Sequence, residues 1–283
     1  MMAATPLQRR RLGLELRALR EAARLTAQEA GQHIGRSHAT ISNIERGKHR
    51  VTKTDLSALL ELYDATPELR ALLHNLRSET PRRGWWATYR LPSWFETYVG
   101  FESEAALVRE FELELVPGLM QTPGYARAVH VVGSHLTAPD EVGPQVAARL
   151  QRQRRLFANP PLTLHAVVSE AAVRRVVGGR KTMAEQLEHV LELAELDNVR
   201  FQVLPFAAGE HASMAGTMVL LRFPEKHDAD LAYIDHALGG HMIDSPYEVA
   251  TLGVLLDALQ DAALSTRKSR ELVESILEEL RRA

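Results

Sequence analysis

The chain has no cysteine among its 283 residues. A disulfide framework and a thiolate metal site are therefore excluded. It contains no apolar run near the ~18–20 residues that a membrane helix needs, so no membrane span is expected. Its opening stretch, MMAATPLQRRRLG, lacks the apolar core of a signal peptide, and a cytoplasmic location is expected. Absent too are a Gly-rich phosphate loop, a nucleophile elbow and a His-Glu-x-x-His pair. With no paired catalytic groups at a usable spacing, neither enzymatic activity nor a cofactor is expected. Asp235, His236 and His241 lie close in sequence, as do Glu210 and His211, but a histidine pair without further ligands rarely makes a metal site, so none is assigned.

Net charge is also lacking, at −2, yet its distribution is uneven. Residues 1–83 hold 15 Lys and Arg against 9 Asp and Glu, a surplus of +6, and the remainder carries −8. A basic module ahead of an acidic body suits phosphate binding at one end only.

Within the basic part, TAQEAGQHIGRSHATISNIERG at 26–47 has the spacing of a helix-turn-helix. Thr26 and Glu29 are placed for a capping box. Ala30, Gly31 and Ile34 share one face of a short helix. Gly31 lacks a side chain where a second helix must cross closely, and Gly35 is suited to end the helix in a left-handed conformation. Ser37 caps a second helix whose inner face carries Ile41 and Ile44. Ser37, His38, Ala39, Ser42 and Asn43 remain at its start and outer side, where such a helix meets base edges in the major groove. Asn43 has the amide that pairs bidentately with adenine. Thr26, Gln28, Arg46, Lys48 and Arg50 are the candidate phosphate contacts, which position a protein without reading sequence; Arg9, Arg10 and Arg11 are possible additions.

Around this motif, Leu7, Leu12, Leu16 and Leu19 space a first helix. Thr52 opens another carrying Leu56, Leu59, Leu60 and Tyr63. Thr66-Pro67 opens a fifth with Leu69, Leu72, Leu73 and Leu76. Residues 1–80 thus read as an all-α, five-helix DNA-binding domain. Aromatics make up only 6% of the chain, yet 81–101 gathers all three tryptophans with Tyr89, Phe95, Tyr98 and Phe101. This connector is either a buried aromatic hinge or the lining of a ligand or partner site, with Trp85, Trp86, Trp94 and Tyr98 as its candidate residues.

Residues 102–283 read as a larger α+β domain with a mixed sheet. The stretch 103–132 reads mostly helical, broken at Pro117-Gly118 and Pro123-Gly124. An arginine-rich helix covers 139–157, and its Arg149, Arg152, Arg154 and Arg155 read as a solvated face or a contact for an acidic partner. Strands at 162–168 and 199–204, separated by a helix over 183–196, suggest a parallel pair. Strands at 216–223 and 231–235 suggest an antiparallel one. A capping box at Ser245–Glu248 starts a helix to about 262, and a last helix runs from Ser265 with Leu272, Ile276 and Leu280 inward.

The N-terminal part resembles the Xre-type, phage-repressor and Cro-like regulators through ISNIERGKHR at 41–50. The rest resembles the C-terminal domain of actinobacterial WhiJ-like, antitoxin-like regulators. That likeness is carried by GWWATYRLPSWFETYVGFESEA at 84–105, LVPGLMQTPGYARAV at 115–129, RQRRL at 152–156, VVSEAAVRRVVGG at 167–179, EQLEHVLELAELDNVRFQVLPFAAGEH at 185–211 and GTMVLLRFPE at 216–225. The resemblance implies a sequence-specific transcriptional regulator of double-stranded DNA, a homodimer reading two half-sites, whose large domain senses a ligand or a small protein encoded by a neighbouring gene. It also implies an alternative, an antitoxin-like protein that mainly captures that small protein and binds DNA for autoregulation. Two departures from the Xre pattern stand out. Ala27 replaces the usual Gln after Thr26, removing one phosphate contact, and Gly31 replaces the usual alanine, which should loosen its helix.

Overall fold

The computed structural model describes residues 6–78, 85–89, 91–132, 140–225, 228–236 and 238–282. The chain forms two compact units, Met1–Ala87 and Thr88–Ala283.

The first unit holds five helices among the described residues: α1 (Pro6–Ala22), α2 (Ala27–His33), α3 (His38–Glu45), α4 (Lys53–Leu62) and α5 (Pro67–Ser78). Leu12, Leu16, Ala30, Ile41, Ile44, Leu56, Leu59, Leu60 and Leu73 are buried together, each brought inward by helical spacing. Leu7, named for this core from its spacing, has a side chain outside the described residues, and Leu72 faces solvent at 54% exposure.

Local chemistry sets the helix ends. Thr26 and Glu29 form both halves of the capping box, Ser37 accepts from the Thr40 amide at 3.2 Å, and Thr52 accepts from that of Asp55 at 3.0 Å. Helix α2 ends in a Schellman motif: Gly35 has φ +66°, its N–H donates to Gln32 and that of Arg36 to Gly31. Helices α1 and α4 close through the same pair of bonds, but with Arg24 (φ +56°) and Asp64 (φ +52°) in the left-handed position.

The second unit is built on a six-stranded sheet, ordered β3-β2-β1-β4-β5-β6. Its strands are β1 (Leu107–Glu112), β2 (Thr163–Ser169), β3 (Val199–Leu204), β4 (Met218–Arg222), β5 (Leu231–His236) and β6 (Gly239–Ile243). The first three run parallel, and β4, β5 and β6 add antiparallel steps. The sheet is therefore mixed and the unit α+β. The parallel pair at 163–169 and 199–204 and the antiparallel pair at 218–222 and 231–236 form as their spacing indicates.

Two strands correct the sequence reading. Residues 103–132 are not mostly helical, because 107–112 form β1, the strand flanked by β2 and β4. Arg109, Glu110 and Glu112 give this strand the composition of a polar segment, although Glu110 is buried. Strand β6 was unread because Gly239 and Gly240 open it.

Helix α11 (Pro246–Ala262) covers one face of the sheet, packing Val249, Leu256 and Leu259 on Phe111, Leu204, Met218, Leu220 and Ala232. Arg109 points to this side and donates to Asp257 at 2.6 Å. Helix α12 (Thr266–Arg282) packs along α10 (Arg180–Leu193) and β3. Its buried face is Ser269, Val273, Ile276 and Leu277, with Leu272 and Leu280 only half-buried. The other face of the sheet carries Glu110, Val219 and Tyr233 side by side across β1, β4 and β5. That face, with α6 (Ser93–Glu102) and α8 (Val142–Gln153), forms a pocket. Helices α7 (Pro123–Val132) and α9 (Glu170–Arg174) complete the described helices.

Candidate nucleic-acid interface and interior pocket

Helix α3 presents Ser37, His38 and Ala39 to solvent at its N-terminal end, with Ser42 and Asn43 half-buried behind them. Ile41 and Ile44 hold its opposite side in the core at 1% and 4% exposure. Of the polar side chains here, two are already engaged. Ser37 caps α3 and its hydroxyl lies 3.0 Å from that of Thr40. Asn43 accepts from Arg46 Nη2 at 3.2 Å, while Arg46 Nε donates to the Ser42 carbonyl at 3.0 Å. Arg46 therefore closes the C-terminal end of α3, where a cation also complements the helix dipole. Thr26, Gln28, Lys48 and Arg50 are exposed. An open depression of about 540 Å³ beside α3 is lined by Arg17, Ala27, His38, Ser42 and Arg46.

What fixes α3 was only partly visible in the sequence. Glu45 and Arg20 form a near-buried bidentate pair, at 2.6 and 2.9 Å, and Arg20 also donates to the Leu25 carbonyl at 2.8 Å. This pair ties α1 to the end of α3 and raises the Arg20 pKa, mainly through the hydrogen bond to Glu45. Two glycines let α1 and α3 come together. A Cβ on Gly13 would sit 2.6 Å from the Ile44 carbonyl oxygen, and one on Gly47 2.8 Å from the Arg10 Cα. Gly31 does likewise against the turn, with a virtual Cβ 2.6 Å from the Arg36 carbonyl oxygen. The Gly31 departure from the Xre pattern thus has a local reason: this turn passes too close for alanine. The run Arg9–Arg11 is not a solvated arm, since Arg10 is 7% exposed and Arg9 is half-buried. Burial, and then the charge of Arg50, lower the Arg9 pKa.

The second unit contains a pocket of about 400 Å³, open to solvent on one side. Glu110 and Glu112 from β1 and Tyr233 and Asp235 from β5 form its floor, Phe95 and Tyr98 enter from α6, and Arg149 and Arg152 enter from α8. Here the arginine-rich helix departs from both sequence readings. Arg152 is 5% exposed, is bonded bidentately to Glu102 at 2.7 and 2.6 Å, and lies 5.2 and 5.4 Å from the Phe95 and Tyr98 ring centres. Arg149 donates to Gln121 at 2.6 Å. These two are interior residues of the domain, because α8 turns them toward the sheet. Arg154 and Arg155 follow in a short 3-10 turn, where Arg155 donates to the Ala105 carbonyl at 3.0 Å.

The wall between β1 and α7 is pinned by buried amides. Gln121 donates to the Val116 carbonyl at 2.7 Å, and Gln186 reaches in from α10 to donate to the Met120 carbonyl and accept from the Thr122 amide, each at 2.7 Å. Gly118 leaves room for Arg152, whose Nη1 would be 3.2 Å from a Cβ there. At the opposite wall, Gly240 has no side chain where the Tyr233 phenol lies.

Of the aromatic candidates, Tyr98 is buried in this wall. It donates to Glu102 at 2.7 Å and its ring centre lies 4.4 Å from that of Tyr233. Trp85, Trp86 and Trp94 are not among the lining residues. Trp85 and Trp86 meet edge to face at 5.8 Å in a 3-10 turn, and Trp94, 37% exposed, lies beside Phe95 and Gly239.

The pocket is electrostatically unbalanced. Glu102 is matched by Arg152 and Glu114 by Arg175, which leaves Glu110, Glu112 and Asp235 facing Arg149. Burial, reinforced by the Glu102 charge and opposed by Arg152, pushes the Glu110 carboxyl up to about 8. Burial and the neighbouring Glu110 raise Glu112 well above the usual carboxylate range, and burial raises Asp235. Burial, and then the Arg152 charge, bring Arg149 down to about 10. Glu110 is 4% exposed, and its Oε1 has no hydrogen-bond partner among the described residues. An acceptor left so costs ~1–3 kcal/mol.

Residues 95–275 match the family model described as a domain of unknown function (DUF5753), and residues 11–73 match that of a helix-turn-helix domain. No curated protein and no solved structure matches the chain. No helix of the described residues is long and apolar enough to cross a membrane.

Proposed function

Because the chain belongs to the DUF5753 family and carries a helix-turn-helix domain ahead of it, we propose that it is a sequence-specific transcriptional regulator rather than an enzyme. It acts as a homodimer of the Xre, WhiJ-like kind on double-stranded DNA, and its large domain senses a ligand or a small partner protein. The observation that carries this reading is the construction of α3. Its inner face is locked by Ile41, Ile44 and the Glu45–Arg20 pair, while Ser37, His38 and Ala39 stand exposed at the end that enters a major groove. In this reading His38 and Asn43 contact base edges, with Ser37, Ala39 and Ser42 beside them. Thr26, Gln28, Arg46, Lys48 and Arg50 hold phosphates. The pocket in the second unit favours a small molecule as the signal, since a cavity of about 400 Å³ is within the size range of ligand sites.

Footprinting of the full chain over the region upstream of its own coding sequence tests the proposal. Two protected half-sites about one helical turn apart are expected, with affinity at least ~1,000-fold above random DNA at physiological salt. Equal affinity for random DNA overturns it.

A further inference from the structure

The pocket combines four features. It is large enough for a small organic molecule at about 400 Å³. After its internal ion pairs are matched, three carboxyls, Glu110, Glu112 and Asp235, face one guanidinium, Arg149, and one imidazole, His236. One of those carboxyls, Glu110, lines the cavity at 4% exposure, and its buried Oε1 has no hydrogen-bond partner among the described residues. Aromatic rings form part of the wall, and Arg152 already shows a guanidinium resting over two of them.

The ligand that answers these features must bring N–H donors and positive charge. An anion would have to displace Gln121 from Arg149 and sit against Glu110 and Glu112. A metal ion needs three or more converging ligands, and among the described residues no group of three His, Asp or Glu side chains is arranged to hold one. An amine, amidine or guanidinium requires neither: it donates to the Glu110 and Glu112 carboxyls that line the cavity and carries an apolar body against Tyr98 and Tyr233.

We propose that the pocket of the second unit binds a small organic cation, with Glu110 and Glu112 as its anchoring carboxylates. This rests on the reading of the large domain as a sensor and names the class of its signal.

Binding is coupled to a proton. The titratable and charged groups around Glu110 are Glu112 on its own strand and Glu114 beyond it, Tyr98 and Glu102 from α6, Arg149 and Arg152 from α8, and Tyr233, Asp235 and His236 from β5. In the empty pocket the Glu110 carboxyl, raised to about 8 by burial and by Glu102, holds its proton at neutral pH. A bound cation favours the carboxylate, so the proton leaves for solvent as the ligand enters. Affinity therefore rises with pH toward about 8, by up to tenfold per pH unit if one proton is released.

Titration calorimetry on the full chain tests this, with benzylamine and agmatine as probes and benzyl alcohol and benzoate as controls. Both cations are expected to bind at one site per chain, at least tenfold tighter than either control. They should release a proton, visible as a dependence of the heat on buffer ionisation, and bind more tightly at pH 7.5 than at pH 6.5. Glu110→Gln, a neutral isostere, should fold normally by circular dichroism, weaken both cations at least tenfold and reduce proton release. Glu112→Gln should weaken them as well. Cations binding no better than the controls, tighter binding of benzoate, or unchanged binding by Glu110→Gln would each overturn the assignment. A parallel gel shift separates this from the sensing role. Glu110-dependent cation binding with unchanged DNA affinity keeps the site and discards the sensor, and cation binding by a chain that shows no DNA selectivity keeps the site and discards the regulator.

Discussion

At the scale of single residues, two buried sites decide most. The Glu45–Arg20 pair fixes the end of α3, and removing one partner strands the other in a site where both are at most 11% exposed. Arg20→Ala is expected to lower stability by about 2–3 kcal/mol, measured by urea unfolding, and to weaken DNA binding by loosening the end of α3. Glu110 behaves oppositely. Its folded pKa of about 8 lies above the unfolded value, so the folded state binds the extra proton. Its favourable contribution is complete below the unfolded pKa, near 4.3, and disappears as pH rises to about 8, at up to ~1.4 kcal/mol per unit within that window. Glu110→Gln should therefore gain stability over the parent from pH 5 to 8 by thermal melts. A constant difference across that range would show that Glu110 titrates normally. On the DNA side, His38→Ala and Asn43→Ala should each cost about 1–3 kcal/mol on the preferred site and relax specificity, whereas Lys48→Ala should weaken all sequences alike and reduce the salt slope by about 1 per protomer, about 2 for a dimer; competition gel shifts distinguish the two patterns.

Elements were legible where their signals are local. Caps at Thr26, Ser37, Thr52 and Ser245 and the glycine at 35 fall where the sequence places them, because capping is a matter of a few neighbouring atoms. Three-dimensional signals were not legible. Arg24 and Asp64 end helices in the left-handed region that glycine usually fills, and nothing adjacent announces this. Since a non-glycine residue there costs roughly 1 kcal/mol, Asp64→Gly is expected to be neutral or stabilising in thermal melts. Gly13→Ala, which drives a methyl into the backbone of α3, should destabilise by about 1–3 kcal/mol. A gain on Gly13→Ala would show that α1 and α3 do not pack as described. Strand β1 is the most informative failure. Arg109, Glu110 and Glu112 made it look like a polar helix, and the two glutamates are the ones that line the pocket. Arg149 and Arg152 misled for the same reason, since charges turned inward around a cavity look on paper like charges turned outward to water. Local rules fail where a site has been built.

At the scale of the whole molecule, the uneven charge now has a structural counterpart on each side. The basic surplus belongs to the helix-turn-helix unit, where Arg46, Lys48 and Arg50 stand exposed after α3. Part of the acidic surplus lies inside the other unit, on the pocket floor. Three cations per protomer, and six in a dimer, should give log affinity for DNA a slope of about −5 against log salt. A slope near zero would mean that these side chains do not hold phosphate. The central claim is that α3 reads DNA, and quantitative footprinting of the parent chain against His38→Ala on the selected site and on random DNA tests it most directly. A preference of at least ~1,000-fold that falls at least ~5-fold in the variant, with non-specific affinity unchanged, is the predicted result. Equal binding to both DNAs by the parent, or an unaltered preference in the variant, would contradict it.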